Sequence, residues 1–297
     1  MPGWLKNPIH LYRSEGVRIR NASAGQRSMQ RRSLPKVFLY GRNLAITIAA
    51  LGIVVSIGYQ GAYNIAYAQE ILRYLIQGFV VTLQAVAVVI PVGFILGFFF
   101  GWGRTSHSWL LRATGTAYVE FFRSLPPLVL IVFSSLLATL FLRNYFFVED
   151  PHAIALWIGV LALAFHSGSY QAEIVRAGIL SVPTGQLDAA DSIGLTRLQS
   201  IFLIVLPQAF RVSLPAVGNE FASVIKDTSL ISAIGGMELT FWGTLLFPDA
   251  LGQDFNLVFI ILTEVALLYF VLTFAVVRTV RAIENRFKVP GLEAAAL

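Results

Sequence analysis

The stretch "SVPTGQLDAADSIGLTRLQSIFLIVLPQAF", residues 181–210, is polar, amphipathic and broken by Pro and Gly in a chain otherwise made of long apolar runs. Local rules shape it. Pro183 suits the first turn of a helix, where the N–H it lacks has no partner anyway, and Ser181 is placed to cap that helix. Gly194 fits the left-handed position at a helix C-terminus. Thr196 then caps a second helix, expected to run to Pro207. The product is a short helix, a sharp glycine turn and a re-entering helix. On the first helix Leu187, Ala189 and Ala190 give a small, mildly apolar surface beside Asp188 and Asp191, a knob of the kind that sits in a groove of a partner. A helix that merely lies on lipid is the competing reading, and its acids argue against it.

The rest of the chain is built for a membrane. Of 297 residues 56% are hydrophobic and 13% charged, against roughly a quarter charged in soluble domains, and the mean hydropathy is +0.71. Six segments approach the about 20 apolar residues that cross a hydrocarbon layer: 37–59, 75–101, 125–143, 152–168, 210–234 and 255–278. The expected fold class is therefore all-α, an integral membrane protein of about six transmembrane helices. Much of the net charge of +6 lies in the first 36 residues, immediately before an apolar run. That arm reads as a cytoplasmic flank rather than a nucleic-acid tail or a cleaved signal peptide. "GRTSHSWLLRATGTAYVEFFR" and the tail "RTVRAIENRFKVPGLEAAAL" fall on the same side. "QGAYNIAYAQEILR", "RNYFFVEDPH" and "GGMELTFWGTLLFPDALGQDFN" have few bases and fall outside. Both termini are expected in the cytoplasm.

The fifth span, "LPAVGNEFASVIKDTSLISAIGG", carries Asn219, Glu220, Ser223, Lys226 and Asp227 at or near membrane depth, so it must face protein or water. Asn219, Ser223 and Lys226 share one helical face, and Glu220 and Asp227 the adjacent one. These are candidates for a polar pathway. The alternative makes Lys226 and Asp227 a structural pair at the outer end and Glu220 a packing contact. Gln84 is either a pathway amide or an interhelical hydrogen bond. Glu264, within "IILTEVALLYF", is a functional candidate or a bonded structural glutamate.

Catalytic equipment is thin. His10, His107, His152 and His166 are scattered without metal-ligand spacing, and His166 reads as a helix-end residue near the interface. With no cysteine, thiolate sites and disulfides are excluded, and with no Gly-Lys dipeptide a phosphate-cradling Walker A loop is excluded as well. Any ATP that drives this chain binds elsewhere. Pro126 and Pro127 read as a helix start, and Arg123 as either part of an interface with an ATPase partner or, the favoured reading, a basic anchor at the inner interface.

The spacing of "LDAADSIGLTRLQSIFLIVLP" resembles the EAA loop of ATP-binding cassette importer permeases: Asp188, Ala189, Ala190, three residues, Gly194, nine residues, then Ile204, Leu206 and Pro207. Asp188 stands where Glu is usual. "YQAEIVRAGILSVPTGQ", "LPQAFRVSLPAVGNEFASVIKDTSL", "VEFFRSLPPLVL" and "GFVVTLQ" are similar to strings of the polar amino acid subgroup, in the same order. The resemblance covers residues 74–288 and implies a permease core there, with a coupling loop at 181–207. Outside it lie a basic arm at 1–36, an extra helix and outer loop at 37–73, and a tail at 289–297. It also implies a subunit of an importer in the cytoplasmic membrane, with no cofactor or metal of its own and no catalytic residue. Its partners would be a second permease subunit, identical or related, two ATPases holding ATP and Mg, an extracytoplasmic substrate-binding protein and membrane lipid. A secondary transporter, which needs an internal inverted repeat, and an intramembrane enzyme are the rival readings.

Overall fold

The computed structural model of the protein describes residues 65–149 and 151–287. The expected first span at 37–59 and both chain ends lie outside them. Ten α-helices follow in order: α1 Ile65–Thr105, α2 Trp109–Ser124, α3 Pro127–Phe146, α4 His152–Leu180, α5 Thr184–Ser192, α6 Arg197–Ser200, α7 Leu206–Asp227, α8 Leu239–Leu245, α9 Phe247–Gln253 and α10 Phe255–Phe287. A π-helical turn, Ile201–Val205, joins α6 to α7, and a 3₁₀ segment, Thr228–Ile234, follows α7. Five stretches are long and apolar enough to cross a membrane: Tyr67–Thr105, Pro127–Phe146, His152–Leu180, Arg197–Ile234 and Leu257–Phe287. They correspond to the second through sixth expected spans.

The scaffold is the parallel pair α1 and α4. In lipid, helices gain little from hydrophobic association, so small residues that let backbones approach decide which pairs form. A Cβ on Gly97 would lie 2.5 Å from Cβ of Gln171, and one on Gly101 would lie 2.5 Å from the Ala172 carbonyl oxygen. Only glycine fits there. α3 runs back along α4, placing Ile131 against Gly159. α7 is antiparallel to α4, as Ser213 Oγ donates to the Ile174 carbonyl at 3.3 Å and Ser167 Oγ to Glu220 at 2.8 Å. α10 reverses again, with Val280 against Gly218. The α1–α2 connection, residues 181–196 and the end of α10 therefore share one face. The α3–α4 connection and residues 235–254 share the other.

Three features depart from the sequence reading. α1 is continuous from Ile65, so the boundary at 73/74 falls inside a helix; hydropathy marks membrane depth, whereas this helix rises about 60 Å, twice the apolar thickness. The connection before Pro126, expected on the inner side, is mostly helix: α2 packs Tyr118 against Phe100 at 4.0 Å between ring centroids, and the Tyr118 hydroxyl donates to the Phe165 carbonyl at 2.7 Å. It stops at Ser124 because Leu125 and Pro126 each precede a proline and are forced extended, which bears out Pro127 as a helix start.

The third is Glu238, one of the acids assigned to the outer surface, which is fully buried. Its carboxylate caps α8, accepting from the N–H groups of Thr240 and Phe241 at 2.8 Å each and from the Tyr269 hydroxyl at 2.7 Å. Burial pushes its pKa above the usual carboxylate range, and those donors pull it part of the way back.

Candidate functional site

Two polar regions stand out, and they occupy the two ends of one rod. α6, the π turn and α7 run without a break from Arg197 to Asp227. The expectation that the second loop helix ends at Pro207 is therefore corrected. Pro207 sits in the first turn of α7, where the wider π turn before it accommodates the missing N–H and the ring.

At the Arg197 end, the glycine turn takes the expected form. Gly194 has φ +79°, and Leu195 N–H reaches back to the Ala190 carbonyl at 3.1 Å, closing a Schellman turn. Thr196 and Gln199 form a reciprocal capping box: the Thr196 N–H donates to Gln199 Oε1 at 2.8 Å. The first cap differs. Pro183 occupies the cap position of α5, and Ser181 Oγ instead donates to the Gly178 carbonyl at 2.7 Å. Ala190 also faces inward, 2% exposed, so the outward surface of the knob is Asp188, Ala189, Asp191 and Ile193, the last 77% exposed.

Two contacts that the sequence reading missed tie the knob to the rod and the rod to the bundle. Gln208 Nε2 on α7 donates to Gln186 Oε1 on α5 at 2.6 Å, and Arg197 Nη2 donates to His107 Nδ1, in the α1–α2 connection, at 2.7 Å. Between the tethers lies a cleft of about 740 Å³, with Trp102, Leu187, Asp191, Arg197 and Leu206 on its walls. The knob is thus bonded to α7, and α6 to the α1–α2 connection.

At the other end, α7 buries Ser213, Leu214, Val217, Gly218, Val224 and Ile225 against the bundle. Asn219 and Lys226 lie on the opposite, exposed face, with Ser223 half-buried between them. Glu220 turns toward α4 and accepts from Ser167 Oγ. Asp227 is half-buried. Lys226 and Asp227 form no ion pair; adjacent residues on a helix point about 100° apart. Gln84 is exposed on the side of α1 opposite its glycine stripe, away from this cluster. His166 is not a helix-end residue: it is buried inside α4, with Nδ1 3.0 Å from the Phe122 carbonyl oxygen. Glu264 is half-buried, and its Oε2 has no hydrogen-bond partner among the described residues.

Between the two regions, three helices meet on one carboxylate. Glu173 of α4 binds Arg104 of α1, accepts Nε and Nη2 of Arg176 at 3.0 and 2.6 Å, and lies 3.8 Å from Arg123 of α2. The Arg123 guanidinium also covers the Tyr170 ring at 5.0 Å from its centroid. Arg123 is thus part of an interhelical cluster and not a lone interfacial anchor.

With that geometry in place, comparison with known proteins is informative. The family described as binding-protein-dependent transport system inner membrane component matches residues 90–289. A probable glutamine ABC transporter permease protein of Bacillus subtilis is 32% identical over 229 residues, covering 76% of this chain and 98% of the relative. An L-cystine transport system permease protein of the same organism is 36% identical over 202 residues, covering 65% and 78%. Among solved structures, an amino acid ABC transporter crystallised with histidines has a chain of 29% identity that covers 72% of this one and 94% of its own length, with a TM-score of 0.60.

Proposed function

The chain belongs to the family of binding-protein-dependent transport system inner membrane components, and from that premise we propose that it carries a polar amino acid inward across the cytoplasmic membrane as one wall of an ATP-driven importer. Its termini are cytoplasmic. A second permease subunit, identical or related, forms the other wall; two separate ATPases hold ATP and Mg, and an external protein delivers the substrate. The observation that carries the reading is the knob at 181–207 fixed to the rod that bears the polar face. Asp188, Ala189, Gly194 and Ile193 meet a groove on the ATPase. Ala190, Leu206 and Pro207 hold the knob's shape from behind.

Closure of the ATPases on ATP displaces both knobs, and each rod carries the motion to its polar face. There Asn219, Ser223 and Lys226 line the pathway toward the second subunit, with Glu220 and Asp227 at its edge. A zwitterion entering a low-dielectric layer must have its lost hydration replaced by such groups. Glu220 is assigned to the substrate ammonium, a charge-assisted contact. Gln84 is the pathway candidate that the geometry favours least.

The test is uptake of a panel of radiolabelled amino acids by proteoliposomes that hold the complete complex. Accumulation is expected to require ATP inside and the binding protein outside. Uptake by the permease without its ATPase, driven by an ion gradient, would replace this reading with secondary transport.

A further inference from the structure

We propose that Ser167 and Gln171 are positioning residues for Glu220: a chain of hydrogen-bond donors, anchored in the α1–α4 contact, that fixes one carboxylate oxygen and presents the other to the substrate ammonium. The inference rests on the pathway reading of Glu220. Ser167 is 1% exposed and Gln171 is fully buried. Gln171 Nε2 donates to Ser167 Oγ at 3.0 Å, and Ser167 Oγ donates to Glu220 Oε1 at 2.8 Å. A hydroxyl has a single proton, so by giving it to Glu220 the serine can only accept from Gln171, which fixes the orientation of the glutamine amide. The chain therefore has one direction and ends on an acceptor.

The anchor is rigid. Gly93 and Gly97 of α1 lie so close that an added Cβ would sit 2.9 Å from Gln171 Nε2 and 2.5 Å from Gln171 Cβ. The amide also leaves Oε1 buried with no partner among the described residues. A native chain seldom keeps such an orphan without a role for the side chain. A role in directing Ser167 accounts for a glutamine where a leucine would pack at lower cost. Without the chain, Glu220 swings between rotamers and meets the substrate less often in the productive one.

The experiment measures initial uptake rates, per assembled complex, of the amino acid that the unmutated proteoliposomes transport. Ser167→Ala is expected to lower kcat/KM about tenfold or more, as loss of one hydrogen bond to a charged group would. Ser167→Thr, which keeps the hydroxyl, is expected to recover most of it. In a Glu220→Gln background the same Ser167→Ala change is expected to shift the rate less than about twofold, because its partner is gone. Gln171→Met, close in volume, gives a second route with the same sign and the same dependence on Glu220, should Ser167→Ala assemble poorly. An undiminished Ser167→Ala loss in the Glu220→Gln background, or no loss in either, overturns the positioning role while leaving Glu220 in the pathway. Normal uptake by Glu220→Gln itself removes Glu220 and overturns both.

Discussion

The Arg197 end of the rod, which the proposed topology places inside, and the Asp227 end, which it places outside, are both polar, yet they are built on different principles. The inner end takes its shape from bonds between near neighbours: a glycine at positive φ, a 3.1 Å turn closure and a capping box, all within Ala190 to Gln199. The outer end takes its meaning from what stands across from it. Glu220 and Asn219 are adjacent in sequence, yet one is bonded to α4 and the other faces away from the bundle. A local device keeps its geometry wherever the chain carries it, whereas a tertiary site exists only in one register of two helices.

Breaking the register between the two ends is expected to have the largest effect. One alanine inserted after Leu203 turns everything on one side of it by about 100° relative to the other and lengthens the rod by about 1.5 Å. The knob and the polar face then no longer point as a pair, and uptake is expected to vanish while each ATPase still hydrolyses ATP when purified alone. Ala190→Trp comes next. Because Ala190 is buried within the chain, the ring overpacks the loop's own interior at about 1–3 kcal/mol or more. The amount of complex recovered on purification is expected to fall; full recovery with lost uptake would instead place Ala190 on the ATPase surface.

Gly194→Val separates shape from space. Nothing in the described part of this chain lies within 4 Å of a Cβ at that position, so the cost within the chain is conformational, about 1–2 kcal/mol for a left-handed residue. Insertion and assembly are expected to persist, with substrate-stimulated ATP hydrolysis lost in proteoliposomes. The smallest effect belongs to the tether between Gln186 and Gln208. Gln208→Ala is expected to lower the ratio of transport to hydrolysis by about two- to tenfold, the value of a single hydrogen bond of about 0.5–1.5 kcal/mol. Gln186→Ala added to it is expected to do little more, and a full second loss would show that the two side chains act separately.

The same contrast explains what the sequence made legible. The five spans among the described residues, the alternation of their connections between two faces and the Gly194 and Thr196 geometry follow from hydropathy and backbone stereochemistry, which are properties of short segments. The division of α7 into an Asn219–Ser223–Lys226 face and a Glu220–Asp227 face was likewise visible from periodicity. What stayed hidden needed a second helix: Ala190 turning inward, Ser181 bonding back to Gly178, Glu173 gathering arginines from α1 and α2, and Ser167 reaching Glu220. His166 misled because it stands where an apolar run fades; the helix continues for fourteen residues to Leu180. The glycines at 93, 97 and 101 were the available signal for the α1–α4 contact, and their four-residue spacing marks a close-packed face.

The central claim is that the knob between Thr184 and Gly194 meets the ATPase, and Ile193 at its tip tests it most directly. The chain has no cysteine, so Ile193→Cys introduces a single thiol, to be paired with cysteines placed one at a time around the groove of the ATPase. In the assembled complex the account predicts a thiol-specific cross-link to that groove, whose yield changes when ATP is added, and no reaction with an impermeant thiol reagent applied outside intact cells. Labelling from outside, with no cross-link to the ATPase under any nucleotide condition, would contradict it.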